Sequence, residues 1–237
     1  MKGLVWFRRD LRLRDNPALS AACQECQEIV PLFVFDEPLL RSHVFGSACV
    51  GFMLGCLEEL RRSLALHGVS LAWRTGGPVE SVIQAASDFK VDAVYWNRDY
   101  EPAALERDRT VQQRLAQQGR TVRTFKDHVV FEAEEVRGLR GDPVQRYSAY
   151  RDRWWAKWRA AAPPLLGIPS FPPAGKASAS DSREWPSVAD LGYESVPMWI
   201  EPGEQAAHAR LQWFLGGPVH QYVTGRNLPA SDGTSKL

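Results

Sequence analysis

Five short strand-like segments, the first two of them predominantly apolar, alternate with helix-like segments over the first 125 residues, and this alternation constrains the fold more than any other feature of the chain. The segments are KGLVWF (2–7), IVPLFVF (29–35), VSLAWR (69–74), VDAVYW (91–96) and RTVRTF (120–125). Short runs rich in β-branched and aromatic residues are typical of strands buried on both faces. Strands separated by helices pair in parallel through right-handed crossovers. The sequence therefore predicts an α/β fold, a doubly wound, Rossmann-like sheet of five parallel strands.

The intervening segments carry signals that begin and end helices. Asp15-Asn16-Pro17 places a capping side chain before a proline in the first turn, and His67-Gly68 ends a helix that begins near residue 47. Two more helices are predicted, one ending at about residue 89 and one over residues 102–118. The helix over 47–66 is predicted to place one apolar stripe against the sheet, formed by Cys49, Phe52, Met53, Cys56, Leu57, Leu60 and Leu64.

Polar and charged segments follow three of the predicted strands, at residues 8–15, 36–38 and 97–102. Ligands of open parallel sheets bind beyond the carboxyl ends of the strands, so we expect a site where these segments converge. The first segment belongs to WFRRDLRLRDNPAL (6–19), which carries four arginines and two aspartates. These charges have two interpretations, the wall of a ligand pocket or an ion-pair network that braces the loops and a neighbouring domain. Neither a glycine-rich dinucleotide fingerprint nor a P-loop motif occurs, which counts against ordinary nucleotide sites.

Composition limits the classes of protein to which the chain can belong. With 44% hydrophobic and 24% charged residues, the 237-residue chain has the composition of a globular protein. Neither a membrane-spanning apolar run nor a signal-peptide pattern is found, so we expect a cytoplasmic protein without membrane contact. The net charge of +1 neither supports nor excludes nucleic acid as a partner. The Cys23-x-x-Cys26 pair lies in a helical pattern without a second ligand pair, so no metal site is predicted.

The chain changes character after the predicted sheet. Residues 145–160 (QRYSAYRDRWWAKWRA) combine five aromatic with five basic side chains in a helical segment. Such a helix either stacks and clamps nucleic acid or packs its tryptophan face on the first domain, and the second interpretation is favoured because aromatic stripes are usually buried. Residues 162–203 contain half of the sixteen prolines and are predicted to be a linker that runs over the first domain.

A second domain begins at about residue 204. EPGEQAAHARLQWFL restarts a helical pattern, and the chain finishes with GRNLPASDGTSKL, in which a turn leads into hydroxyl residues suited to cap a helix and to hold a phosphate. We therefore predict three parts. Residues 1–132 form the sheet domain, 133–203 a helix and linker, and 204–237 the truncated start of an all-α domain.

Four segments resemble the DNA photolyase and cryptochrome family, in the order in which that family has them. They are WFRRDLRLRDNPAL after strand one, PLFVFD at strand two, VYWNRDYEP after strand four, and HQYVTGRNLPASDGTSKL at the end. The resemblance covers nearly the whole chain but only the N-terminal half of the family. It implies a monomeric flavoprotein in which blue light excites reduced FAD, and an electron passed to a cyclobutane pyrimidine dimer in damaged DNA splits that dimer.

The resemblance also assigns residues near the end of the chain. It implies that Arg226 lies by a DNA phosphate and that no catalytic residue is present, because the flavin-ring and dimer pockets would follow in the helical domain. The residues that it implies for FAD binding are Tyr222, Thr234, Ser235, Lys236 and Leu237.

In this family the sheet domain holds a second, light-harvesting antenna chromophore. Folate-binding relatives use an Asn-Glu pair after strand four, where this chain has Ala103-Ala104, whose side chains cannot hydrogen-bond a pterin. The resemblance therefore favours 8-hydroxydeazaflavin over methenyltetrahydrofolate or flavin mononucleotide. The candidate chromophore residues are Arg9, Phe35, Asp36, Asp99, Glu101 and Arg107.

Three functions remain open at this point. The first is the N-terminal part of a deoxyribodipyrimidine photo-lyase, inactive on its own, and the second is a cryptochrome-type blue-light photoreceptor that acts through protein partners. The third is a free-standing module that binds a small ligand, with residues 204–237 as a vestige. The residues that would separate a repair enzyme from a photoreceptor lie in the helical domain of the family.

Overall fold

The computed structural model describes residues 1–138, 140–172, 184–228 and 233–234. Five strands form one parallel sheet in the order β3-β2-β1-β4-β5, which is the doubly wound arrangement that the sequence predicts. The strands are β1 (Lys2–Phe7), β2 (Glu28–Asp36), β3 (Ala72–Gly76), β4 (Ala93–Asn97) and β5 (Thr121–Phe125). Strand order reverses between β1 and β4, so the loops that leave these two strands flank the crevice in which such sheets bind ligands.

Helices cover both faces of the sheet. They are α1 (Pro17–Glu25), α2 (Glu37–Arg41), α3 (Ser47–Leu66), α4 (Pro78–Asp88) and α5 (Pro102–Gln117). Alternate residues of β1 point to opposite faces, so Val5 and Phe7 pack with α1 and α3, while Leu4 and Trp6 pack with α4 and α5. The two resulting cores explain why the central strands are apolar along their whole length.

The apolar residues of α3 occupy two faces instead of the single stripe predicted above. The face on the sheet buries Val50, Leu54, Leu57, Leu60 and Leu64. Cys49 and Phe52 from the predicted stripe are exposed, and Cys56 is half-buried. The prediction was wrong for these positions because the apolar residues of this helix cover more of its circumference than the sheet can bury.

The segment after β5 returns over the sheet domain. A 3₁₀ turn (Ala133–Glu135) is followed by α6 (Tyr147–Ala160), in which no residue is buried. Trp154 contacts the buried ring of Phe131 edge-on, with centroids 5.4 Å apart. The interpretation that the tryptophan face packs on the first domain therefore holds for this ring, while Trp155 and Trp158 remain exposed.

The described parts of the proline-rich linker, residues 162–172 and 184–203, contact the sheet domain, as predicted for the linker. The backbone amide of Leu166 donates to the Asp15 side chain at 2.8 Å. Further along, Trp185 lies edge-on to Phe35, and the Tyr193 hydroxyl donates to the backbone carbonyl of Leu40 at 2.6 Å. These contacts fasten both described parts of the linker to the first core.

The last described elements are α7 (Glu204–Gly216), a 3₁₀ turn (Pro218–Gln221) and α8 (Tyr222–Gly225). The start of α7 lies against α3. Gly203 has φ +108°, and a Cβ there would lie 2.7 Å from the Glu59 side chain, so only glycine fits this approach. No helix in the described part of the chain combines the length and apolarity needed to cross a bilayer.

Candidate functional site

The loops after β1 and β4 meet in a hydrogen-bonded cluster at the carboxyl end of the sheet. The buried Asn97 side chain donates to Asp10 at 2.6 Å and to Asn16 at 2.8 Å, and it accepts from the Ala18 amide at 3.0 Å. Arg8 donates to both carboxylate oxygens of Asp108, at 2.7 and 2.8 Å. The β1–α1 loop is thereby fixed to the end of β4 and to α5.

A second group of charges lies at the opening of this cluster. Arg9 contacts Glu101 at 2.8 Å and Asp99 at 3.7 Å. Burial opposes the ionisation of Asp99, but amide hydrogen bonds from Glu101 and Tyr100 and the charge of Arg9 together hold its pKa below the ordinary value. Asp99 is therefore a fixed anion at neutral pH, with Arg9 as its exposed counter-ion.

The charged loop also holds the linker and α7. Glu204, the first residue of α7, accepts hydrogen bonds from the backbone amides of Leu13 at 2.8 Å and Arg14 at 3.0 Å. Arg12 donates to Asp127 at 3.1 Å and to the backbone carbonyl of Asp15 at 2.5 Å. The described contacts match the interpretation of an ion-pair network that braces neighbouring segments, and the interpretation of a ligand-pocket wall stays a prediction.

The structure brings together three of the six predicted chromophore residues. Arg9, Asp99 and Glu101 are in mutual contact, whereas Arg107 pairs with Asp108 at 2.9 Å behind them. The other two lie at the end of β2. Phe35 is only 1% exposed under the linker residue Trp185, and Asp36 caps α2 by accepting from the Leu39 amide at 3.1 Å. In the conformation described, Phe35 is closed to a ligand, whereas Asp36 is half-buried with one of its oxygens used in the cap.

Two spaces adjoin the cluster, and they differ in size and chemistry. The polar one, lined by Arg9, Asp99 and His128 among others, has a volume of about 80 Å³. The other is an apolar groove of about 1210 Å³ that shares Arg8 and Arg9 with the first. Its apolar lining is Leu11, Phe45, Cys49, Phe52, Met53, Cys56, Leu165, Leu166, Ala207 and Leu211. Small-molecule sites occupy about 300–1,000 Å³, so the smaller space is too small for such a ligand, whereas the groove exceeds that range.

The groove was missed in the sequence because its walls come from distant segments. It lies between the outer face of α3, the β1–α1 loop, residues 165–167 and α7. One signal in the sequence could have indicated the groove: α3 has more apolar residues than one face of the sheet can bury. The Cys49, Phe52, Met53 and Cys56 side chains form that surplus and line the groove.

The residues assigned to FAD and DNA by resemblance lie at the far end of the described chain. The Tyr222 ring meets Phe214 edge-on at 5.9 Å, and the Arg226 guanidinium lies 5.8 Å from the centre of the Tyr222 ring. The carbonyl of Thr234 accepts a hydrogen bond from Arg210 at 3.1 Å. Ser235, Lys236 and Leu237 lie outside the described residues.

The cysteine pair in α1 has the surroundings of buried structural thiols. Burial raises the pKa of Cys23 to about 12, and the Cys26 thiol lies 3.4 Å from the Tyr95 hydroxyl. Thiols with raised pKa values are poor nucleophiles and poor metal ligands at neutral pH. Among the residues that the structure describes, no group of three or more metal-binding side chains comes together.

Comparison with known proteins gives a consistent result. The family model for DNA photolyase matches residues 3–169. The chain is 35% identical to an uncharacterised 31.6 kDa protein of Synechococcus sp. PCC 6716, over 99% of this chain and 82% of that protein. It is 32% identical to the deoxyribodipyrimidine photo-lyase of another Synechococcus strain and 28% identical to cryptochrome-2 of Arabidopsis thaliana, covering 49% and 40% of those proteins. The chain thus spans about half the length of its photolyase relatives.

A solved structure supports the same relationship. The crystal structure of a bacterial class III photolyase from Agrobacterium tumefaciens superimposes with a TM-score of 0.82 at 27% identity. The match covers the whole of this chain and 49% of that one. The five-stranded sheet and its flanking helices therefore correspond to the N-terminal part of that photolyase.

Proposed function

Because the chain belongs to the DNA photolyase family, we propose that it forms the light-harvesting half of a deoxyribodipyrimidine photo-lyase, with an antenna chromophore bound in the apolar groove beside Arg9. In this proposal the whole protein uses blue light and FAD to split cyclobutane pyrimidine dimers in damaged DNA. The observation that carries the proposal is the groove itself, an apolar space of about 1210 Å³ that reaches Arg8 and Arg9 in the loop leaving the carboxyl end of β1.

The chemistry of the groove suits a flat aromatic pigment with one polar end. Phe52, Met53 and Leu211 supply apolar walls for the rings, and the exposed guanidinium of Arg9 stands at the entrance as a donor to an anionic or carbonyl oxygen. Ala103 and Ala104 remain the argument against a folate. We therefore propose 8-hydroxydeazaflavin as the chromophore, with flavin mononucleotide as the competing ligand.

The proposed FAD and DNA contacts involve the last residues of the chain. Tyr222 and Thr234, together with Ser235, Lys236 and Leu237, would form one edge of a flavin site, and Arg226 would contact a DNA phosphate. One edge buries little ligand surface, which leaves too little binding free energy to offset the cost of association. We therefore expect this chain alone not to retain FAD stoichiometrically and not to repair dimers.

Titration with 8-hydroxydeazaflavin tests the groove. We expect saturable binding at one site, followed by absorbance and fluorescence of the pigment, and at least a tenfold loss of affinity in Cys49→Trp, because the indole would occupy the groove. Leu105→Trp, at an exposed position of α5, is the matched control and should bind like the wild type. The absence of saturable binding, or equal affinity in Cys49→Trp, would refute the proposed site.

A cryptochrome-type photoreceptor is the second candidate, and the 28% identity to cryptochrome-2 supports it. The two functions predict different results when the corresponding full-length protein is illuminated with blue light in the presence of an oligonucleotide containing a thymine dimer. A photo-lyase restores the absorbance of the two thymines, whereas a photoreceptor leaves the dimer intact. Repair would settle the choice in favour of the enzyme.

A further inference from the structure

One side of α6 carries aromatic rings, of which the sheet domain contacts Trp154 and leaves the others exposed. Tyr147, Tyr150, Trp154 and Trp158 recur at intervals of three and four residues and therefore form one stripe along the helix. Trp155 lies beside this stripe and is 45% exposed, and Trp158 is 37% exposed. A contiguous group of exposed apolar rings is typical of a binding surface.

The rings of this stripe are held in a fixed stack. Phe131 is buried in the sheet domain and meets the edge of Trp154. Trp158 lies parallel to Trp154, with centroids 5.6 Å apart and an interplanar angle of 5°, and Trp155 meets Trp154 edge-on at 5.1 Å. The outermost rings are thus supported from below, so a flat ligand could stack on them with little additional loss of side-chain entropy.

Positive charge surrounds the stack. Residues 145–160 carry five basic side chains and one acidic one, a net charge of +4, although the whole chain has only +1. Arg159 lies 6.0 Å from the centre of the Trp155 ring. Within the described part of the chain, neither Arg146 nor Arg153 forms an ion pair, so both remain open to an anionic partner.

We propose that α6 is a binding surface for single-stranded nucleic acid. Unpaired bases would stack on Trp158 and Trp155, while Arg146, Arg153 and Arg159 contact the backbone phosphates. Stacked aromatic side chains beside exposed cations are the recurring solution for strands bound without regard to sequence. The net charge of +4 on one short helix is the observation that favours a polyanion as the partner.

This surface is separate from the proposed pigment groove. No residue of α6 lines the groove, which is formed by α3, α7, the β1–α1 loop and residues 165–167. The inference therefore does not rest on the proposed function. A chain that binds no pigment would still bind single strands, and failure of one test leaves the other unaffected.

The test is fluorescence anisotropy with a labelled, undamaged oligothymidylate of about 12 nucleotides, a length within the usual site size of such proteins. We expect saturable binding, about tenfold or more weaker in Trp158→Ala because the stacking of a base is lost, and partly restored in Trp158→Phe. Trp199→Ala, which removes an exposed tryptophan outside α6, is the matched control and should bind like the wild type. With three phosphate contacts, a plot of log K against log salt should have a slope of about −2.

Variants that remove one positive charge test whether the arginines of α6 contact the oligonucleotide or only add to the general attraction between protein and phosphate. Arg153→Gln should weaken binding and lower the salt slope, whereas Arg41→Gln on α2, exposed but paired with Glu37, should change neither. Thermal unfolding checks that each variant is folded. Equal affinity for Trp158→Ala and wild type, or tighter binding to duplex than to the single strand, would overturn the proposal. The absence of saturable binding to oligothymidylate would also overturn it, and a loss of self-association in Trp158→Ala, seen by sedimentation, would then identify α6 as a protein interface.

Discussion

α3 and α6 are both rich in large apolar side chains, yet the first is part of the core and the second lies outside it. α3 buries five aliphatic residues against the sheet, and α6 buries none of its residues although three of them are tryptophans. The two helices differ in the side chains that flank their apolar positions. On α3 the face toward the sheet carries no charge, whereas on α6 arginines and a lysine flank the aromatic stripe. The number of apolar residues in a helix therefore does not determine whether the helix is buried. A helix is buried when one of its faces carries no charge.

The comparison assigns different roles to the two helices. The core face of α3 contributes to the stability of the sheet domain, since apolar burial is the main favourable term in folding. The exposed rings of α6 gain no such free energy from the chain itself. Each of the following predictions changes one residue so as to strengthen or weaken this contrast.

The largest expected effect is on the core side of α3. Leu60 is 0% exposed, and Leu60→Ala should lower the free energy of unfolding by about 2–5 kcal/mol, because it leaves a cavity in the first core. Trp158→Ala on α6 removes a larger side chain but leaves no cavity in a core, so it should cost only about 0.5–1.5 kcal/mol, the contribution of its stacking on Trp154. Urea unfolding of both variants measures the difference. Comparable losses would show that the α6 rings are part of the core after all.

α7 provides an intermediate case, because its start is held by hydrogen bonds instead of by burial. Glu204→Ala would leave the amides of Leu13 and Arg14 without their acceptor, at a cost of about 1–3 kcal/mol. Amide exchange should rise in α7 and at residues 13–14 and stay unchanged in β1. Glu201→Ala, a nearby glutamate that makes no such bond to this loop, is the control. If exchange rose equally throughout the sheet, α7 would belong to the cooperative core.

The difference between buried and exposed apolar residues also explains how much of the fold could be predicted from the sequence. The central strands were predictable because parallel strands buried on both faces are apolar throughout, and the edge strand β5, which has no buried residue, was predictable from its alternation with the preceding helix. The bounds of the strands differ from those predicted. β3 begins at Ala72 instead of Val69, since Val69 and Leu71 are buried in the approach to the strand without pairing in it. The pattern of apolar residues predicts that a residue will be buried, but it does not distinguish a strand from a buried loop.

The candidate site was predictable only where it depends on neighbouring strands. Arg9 and Asp99 meet because β1 and β4 are adjacent, and the pattern of strands and polar loops indicates such a meeting. Phe35 is covered by Trp185, which follows it by 150 residues in the chain, and the groove needs Leu165 and Leu211. Contacts between segments so far apart leave no local pattern in one sequence.

The contact between α6 and Glu135 should make the stability of the protein depend on pH. The hydrogen bond from Lys126, with another from the Glu132 amide, holds the pKa of Glu135 below its ordinary value, and Lys157 of α6 lies 3.9 Å from the same carboxylate. A carboxyl group whose pKa is lower in the folded state contributes stability above its unfolded pKa of about 4.3, and this contribution is lost as the pH falls through the lowered value.

Glu135→Gln removes that titration. The decrease in melting temperature between pH 6 and pH 3 should therefore be smaller in Glu135→Gln than in the wild type, by a small margin because the group is partly solvated. Glu134→Gln, the adjacent and more exposed glutamate, is the matched control. An identical pH dependence in Glu135→Gln and wild type would mean that this carboxylate does not anchor α6.

The smallest effect is expected on the outer side of α3, two residues from the position with the largest. Arg62 is 73% exposed and pairs with Glu58 at 3.0 Å, one helical turn away. Exposed pairs at this spacing contribute about 0.3–0.5 kcal/mol, so Arg62→Ala should change the free energy of unfolding by no more than that, and the effect should fade in 1 M salt. Leu60→Ala in the same helix should be insensitive to salt. Arg62→Ala could instead lower the free energy of unfolding nearly as much as Leu60→Ala. Any residue of α3, buried or exposed, would then matter equally for stability. The contrast between α3 and α6 would lose its physical basis.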